Sequence, residues 1–391
     1  MKKQVILLVC VILAAIIPNY TSAQGTLAKP AKEVFEDSLV TSKVQIKIGG
    51  QLKINGIYDF NALQDSESFN ILSIPTGENQ NTSPRYSLGA KQSRLNMNIA
   101  YDSEKLGRIT SYFEGDFFGT GNLNFRMRFF YVDIQNFRIG QTWSLFVDEN
   151  AWPDVIDFDG PPTGIWVRSA QIRYTKQLSD KSRLAFAIES PQAEITPIEV
   201  VDSTITETFQ GIPDITAHWN NTGKRGHIQL ALVLRQLNYL KNNRTLSNTA
   251  FGLSLSGHLK VRQNDKLILQ ATGGSGIASY LVSFMGGGFD AATSSQGKLT
   301  NIRVFGGYAG YELMFSKSLK STLVYGYTHM SEEIDILPDD DFWGHYASAN
   351  LFWLLDKKIT IGIEGLYGNV KDFYGATGHA TRIQSMLLFN F

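Results

Sequence analysis

An all-β fold, sixteen antiparallel strands closed into a transmembrane barrel with an inward-folded third loop, is what three features of the 391-residue sequence predict. Apolar and polar residues alternate with a period of two along most of the chain. Short polar turns alternate with mostly longer connections. Past residue 23, no apolar run is long enough for a spanning helix.

The N-terminus stands apart. Lys2 and Lys3 precede an unbroken apolar run of 13 residues, Val5 to Ile17. Pro18 breaks the run, and Thr21-Ser22-Ala23 places small residues ahead of Gln24. These are the parts of a cleaved secretory signal peptide over residues 1–23. Cys10 lies inside the run behind Leu8-Val9, which is not a lipoprotein pattern. Removing this leader leaves 368 residues, no Cys, and 34 Lys+Arg against 36 Asp+Glu. A disulfide framework, a CxxC redox pair and a Cys-based zinc site are thereby excluded. The absence of a basic excess argues against a nucleic-acid partner. Residues 24–42 read as a short periplasmic segment, and residues 43–391 as one barrel domain.

The first strand sets the pattern. Ile46, Ile48, Leu52, Ile54, Tyr58 and Phe60 share one parity, with Lys47, Gln51, Lys53, Asn55 and Asp59 on the other. The alternation recurs at 107–117, at 226–235 (Ile228, Leu230, Leu232, Leu234), at 250–261 and in the last strand through Phe389 and Phe391. Sixteen runs result: 43–60, 92–102, 108–118, 122–134, 137–142, 167–177, 183–189, 214–219, 226–236, 249–261, 266–274, 301–315, 318–328, 344–354, 359–368 and 380–391. Seven turns on one side and eight loops on the other (61–91, 119–121, 143–166, 190–213, 237–248, 275–300, 329–343, 369–379) place both termini at the periplasmic end. Tyr58, Tyr101, Tyr131, Tyr174, Tyr325, Tyr327 and Tyr367 fall near strand ends, where an aromatic girdle belongs.

A barrel of this size leaves an aqueous channel, so function turns on what narrows it. Loop 143–166 carries three Trp, Trp152 among them, with Phe146, Val155, Ile156 and Phe158. It is too apolar for a solvated loop. Folded inward it forms a constriction, with Asp148, Glu149, Asp154, Asp157 and Asp159 in the channel or pinned to arginines. Across from it, parity with Leu123, Phe125, Met127 and Phe129 facing lipid turns Arg126 and Arg128 into the lumen. Arg94, Arg138 and Arg173 fall on inward rows by the same test. A turn at Gly119–Gly121 sets Glu114 opposite Arg126 and Tyr112 opposite Arg128, so a structural wall pair competes with a functional reading of Arg126. Arg128 and Arg138 show no acidic partner in the sequence. These five arginines, with Glu114 and Tyr112, are the pore-lining candidates, and a lumenal arginine ladder favours anions.

The strings Gln92-Ser93-Arg94-Leu95-Asn96, Phe113-Glu114-Gly115-Asp116-Phe117-Phe118-Gly119, Gly140-Gln141-Thr142-Trp143-Ser144 and Asp157-Phe158-Asp159-Gly160-Pro161, with the Arg168–Tyr174 segment, carry a resemblance. Over residues 44–180 the chain resembles the DcaP-like outer-membrane porins. The resemblance implies a homotrimeric, sixteen-stranded diffusion channel favouring small negatively charged solutes such as carboxylates.

The expectation is a passive outer-membrane porin, embedded among lipid and lipopolysaccharide, without enzymatic activity, cofactor or metal. A substrate-specific channel for phosphate or an oligosaccharide is the alternative. Most aromatics fall on lipid rows, which disfavours a sugar slide, and the acidic loop disfavours phosphate. A barrel enzyme would need a nucleophile and base together, whereas the six His are scattered. Asp154, Asp157 and Asp159-Gly160 echo part of a calcium loop but lack the glutamate at its twelfth position.

Overall fold

The computed structural model describes residues 39–40, 44–61, 63, 65–79, 83–119, 124–196, 207–241, 244–262, 264–293, 298–331 and 341–391. The expected leader, most of the 24–42 segment, and Lys43 and Leu123 lie outside them. The barrel strands are β1 (Val44–Asp59), β2 (Arg94–Ser103), β3 (Gly107–Gly119), β4 (Asn124–Ile134), β5 (Phe137–Trp143), β6 (Arg168–Gln177), β7 (Ser182–Glu189) and β8 (Asp214–Gly223). They continue as β9 (Gly226–Lys241), β10 (Arg244–Lys260), β11 (Lys266–Ser275), β12 (Arg303–Met314), β13 (Leu319–Ser331), β14 (Phe342–Asp356), β15 (Ile359–Lys371) and β16 (Thr377–Asn390). Each pairs antiparallel with the next, and β16 returns to β1 through Asn390 opposite Gln51. Closure pairs the backbone of both edge strands, the condition for a sheet to sit in hydrocarbon.

The outer rows are the apolar ones. Leu52, Ile54, Met127, Ile172, Leu230, Leu253, Leu255 and Leu387 are exposed, whereas Gln229, Ser254, Ser256, Gln270 and Gln384 are buried inside. Expected tyrosines Tyr58, Tyr101, Tyr325 and Tyr367 are exposed among them.

Two readings need correction. Residues 237–248, expected as a loop, mostly extend the β9–β10 hairpin, with Tyr239 opposite Leu246. Leu237 and Tyr239 keep the two-residue alternation and pack with Ile195, Ala250, Ala291 and Leu299 in a small cluster. The second correction is in β4. Gly115 faces Met127 but Glu114 faces Phe129, so one extra residue, Arg128, is inserted as a β-bulge. Beyond it the parity reverses: Phe129 is buried inside, Phe130 is 55% exposed outside, and Tyr131 turns inward. Phe129 and Tyr131 were expected on the lipid side; the consecutive Phe129-Phe130 pair was the visible break in alternation.

Loops fill the end of the barrel that carries them. Phe69, Ile71 and Ile74 from the first loop and Phe284 from the sixth join Phe342, Tyr346 and Phe373 in the largest apolar cluster. Residues 195–196, 291–293 and 299–301 form a three-stranded sheet there. The Glu194 carboxylate beside it accepts the amides of Gly286 (2.9 Å) and Gly288 (3.3 Å).

With Cys10 as the chain's only thiol, the bulge can be read by labelling. Tyr131→Cys is expected to react with a charged, water-soluble maleimide in proteoliposomes, and Phe130→Cys to resist it. The opposite pattern would remove the bulge.

Candidate functional site: the lumen and its crossing loop

The third loop leaves β5 at Trp143 and crosses the lumen. Its departure is fixed by one buried wall carboxylate. Glu189 of β7 accepts from the Leu145 amide (3.0 Å), the Ser144 hydroxyl (3.1 Å) and the Ser169 hydroxyl (2.9 Å). Further along, Asp148 is held by His227 of β9 (3.0 Å) and by the Ser256 hydroxyl of β10 (2.7 Å). His258 contacts the Asn150 carbonyl at 3.0 Å, and the Tyr308 hydroxyl donates to that of Ala151 at 3.0 Å. Asp154 pairs with Lys320. Glu364 of β15 then accepts the amides of Ile156 (3.0 Å) and Asp157 (2.9 Å). Lys53 of β1 donates to the Ile156 carbonyl at 3.1 Å. The loop thus touches the wall from β7 round to β1, and its inward course agrees with the sequence expectation.

Close approach requires a bare wall. A Cβ on Gly326 would lie 2.9 Å from Pro162 Cδ, and one on Gly306 would lie 2.5 Å from Thr163 Cγ2. The loop seats directly on backbone at these positions.

Its acids are anchors more than free channel charges. Asp157 is buried; its Oδ1 accepts the Phe69 amide (2.9 Å) and its Oδ2 that of Gly160 (3.0 Å). Burial, and next the charge of Glu364, push its carboxyl above the ordinary range. Asp159 is raised too, by burial and then by Asp157. Burial would also raise Asp148, but the His227 and Ser256 hydrogen bonds outweigh it and hold this carboxyl below the ordinary range. Only Glu149 and Asp154 among the five are exposed.

The wall arginines are paired differently from the expected register. Asp116, not Glu114, lies opposite Arg126 and takes it in a bidentate pair at 3.0 and 2.7 Å. Arg128 is 1% exposed and bridges Glu114 (2.7 Å) and Asp116 (2.8 Å). Its expected neighbour Tyr112 lies opposite Tyr131 instead and donates to Glu114 at 2.7 Å. The bulge lets Arg128 reach both acids, and a second register break between Asp116 and Gly119 sets Asp116 against Arg126. Arg138 also has a partner, Asp133, at 2.7 Å, and its guanidinium lies 3.9 Å from the Tyr131 ring centroid. Arg173 donates to Gln171 (3.1 Å) and to the Trp143 carbonyl. Arg94 keeps only a loose contact with Glu114, 3.8 Å.

Between loop and wall lies a cavity of about 860 Å³. It reaches from Arg94, Tyr112, Glu114 and Arg128, past Arg138, Glu149 and Trp152, to the Lys317–Lys320 turn. Arg126 and Arg173 lie outside its lining. Aromatic rings are far from scarce here: Tyr112, Phe129, Tyr131, Trp143, Trp152, Phe158, Trp166, Tyr308 and Phe352 all border it. Trp152 stacks on Trp166 (5.0 Å, 14°), with Trp143 edge-on to both. Phe158 stacks on Phe118 at 4.2 Å, tying the loop to the end of β3. The bulge brings Phe129 and Tyr131 inward from their expected lipid rows, and they join the rings of the loop here.

The anchors differ in weight. Asp148→Ala strips a buried network, where an orphaned partner costs about 1–3 kcal/mol, and is expected to raise single-channel conductance and open-channel noise. Asp154→Ala breaks an exposed pair worth about 1 kcal/mol at most and is expected to leave open-channel noise unchanged. Equal noise in the two variants would contradict the anchoring roles. A second test is pH. A carboxyl raised on docking favours the docked loop while protonated, and that contribution is lost as pH climbs from the ordinary carboxylate range of about 4. Channel noise is expected to increase with pH in the wild type and to flatten in Asp159→Asn; an unchanged slope would exclude Asp159 as the source.

The family model described as DcaP outer membrane protein matches residues 27–391. Among solved structures, the outer membrane channel DcaP of Acinetobacter baumannii aligns with a TM-score of 0.77 at 19% identity, covering 90% of this chain and 99% of its own. An anion-selective porin from Comamonas acidovorans aligns at 0.58 and 13%, covering 89% and 100%. The trimer form of OmpT from Vibrio cholerae gives 0.56 and 10%, covering 90% and 100%. No curated protein sequence matches this chain. The similar structures share the barrel fold, and the match spanning nearly all residues from 27 onward settles the lineage: the chain belongs to the DcaP outer membrane protein family.

Proposed function

We propose that this outer-membrane channel protein passes small hydrophilic solutes by diffusion, with a modest preference for anions such as carboxylates. The observation that carries the reading is the charge along the cavity. Lys53, Arg94, Arg128, Arg138, Lys317 and Lys320 line it against Glu114, Glu149, Asp154, Asp157 and Asp159. Six cations face five acids, and two of those acids, Asp157 and Asp159, are pushed toward the protonated form. A pore wall of one prevailing sign favours the opposite ion, and a margin of this size gives a preference rather than exclusion. Anion selectivity in the name of the Comamonas acidovorans porin is in keeping with it.

The same reading takes residues 1–23 as a cleaved export leader and residues 24–42 as a periplasmic lead-in. It has the barrel assemble as a homotrimer among outer-membrane lipid and lipopolysaccharide. A second reading, a substrate-specific uptake channel, is favoured by the aromatic lining, because the Trp143, Trp152 and Trp166 rings offer a stacking surface that an oligosaccharide could use.

Reversal potentials in a KCl gradient across a planar bilayer test the first reading. Chloride is expected to be more permeant than potassium. Potassium preference, or no conductance from folded barrels, would refute it.

A further inference from the structure

We propose that selectivity is set at one cluster on the lumen wall, and that its working residues are Arg94 and Arg168 rather than the closely paired arginines beside them. The inference rests on the anion-preferring reading above. Arg94, Arg126, Arg128 and Arg168 interact electrostatically around Glu114 and Asp116. Four guanidinium groups meet two carboxylates, which leaves two positive charges uncompensated.

Pairing distance decides which two. Asp116 Oδ1 accepts from Arg126 Nε and the Phe118 amide, and its Oδ2 from Arg126 Nη2 and Arg128 Nη1. Glu114 Oε1 takes Arg128 Nε, and Oε2 takes the Tyr112 hydroxyl. Asp116 is saturated, and Glu114, committed to Arg128 and Tyr112, holds Arg94 no closer than 3.8 Å. Arg168, at the start of β6, has no acidic partner among the described residues. Its guanidinium lies 4.7 Å from the Trp143 ring centroid and 5.8 Å from that of Phe129. Such stacking holds a cation in place without neutralising it. Arg168 Nη1 and Arg94 Nε are both buried with no hydrogen-bond partner. Both nitrogens are shut away from the lumen, and Arg168 lies behind the cavity lining, so a passing carboxylate or halide meets these two surplus charges through their field. A cation compensated at contact distance leaves little field in the lumen, whereas an uncompensated one acts over about 10 Å at 0.1 M salt.

The test compares charge removal with charge-conserving pair removal. Arg168→Gln and, independently, Arg94→Gln are each expected to lower the chloride-to-potassium permeability ratio about twofold or more. Arg168→Lys keeps the charge and is expected to keep the ratio. The double variant Lys266→Gln with Glu312→Gln deletes a 2.9 Å ion pair outside the cavity lining at constant net charge, and its ratio is expected to match the wild type. Heat-modifiable migration on gels confirms that each barrel is folded. Should the wild type prefer chloride while both single variants keep that preference, the inference fails and the anion reading stands. Loss of the ratio in the pair deletion equal to that in Arg168→Gln would also overturn it. A wild type that prefers potassium removes both.

Discussion

The structure depends on buried carboxylates of the wall that accept hydrogen bonds from a loop inside the barrel. A chain crossing a lumen brings backbone amides that need acceptors where water is scarce. Glu189 meets this need at the loop's departure and Glu364 at its far side. Charge-assisted bonds of this kind are stronger than neutral ones, so one residue on β7 and one on β15 fix the two ends of the ten-residue crossing between Leu145 and Ile156. The outer shell asks only for alternation and closure.

Those two demands explain which parts of the structure could be read in the sequence. All sixteen barrel strands follow from the period of two, because the hydrocarbon outside and the polar lumen inside impose it on each strand separately. Ile228, Leu230 and Leu234 announce their face without reference to anything else in the chain. Loop 143–166 was legible as an inward segment because its composition suits neither solvent nor lipid. The entry of the first and sixth loops was not, since Phe69, Ile71 and Phe284 are spaced among polar residues and find one another only after the barrel has closed.

The site was legible as composition and illegible as pairing. Parity brought the arginines inward but could not see the two register breaks between β3 and β4 that reassign the partners of Arg126 and Arg128. Arg128 thereby becomes the most deeply buried of the series, held between Glu114 and Asp116. Arg168 escaped notice for a related reason: at a strand end beside Trp143, alternation no longer says which way a side chain leans. Register across a short, irregular connection is a property of two strands at once, and one strand's pattern does not contain it.

The bare positions on the wall have a consequence for calibre. Gly306 and Gly326 let the third loop lie close against β12 and β13. Whatever width is conceded there is gained on the arginine side, so the bore is set by side chains the barrel lacks. A lineage could retune the size of what it admits by acquiring a single methyl group at Gly326, where the loop's prolines alone stand against it, leaving every charged residue in place.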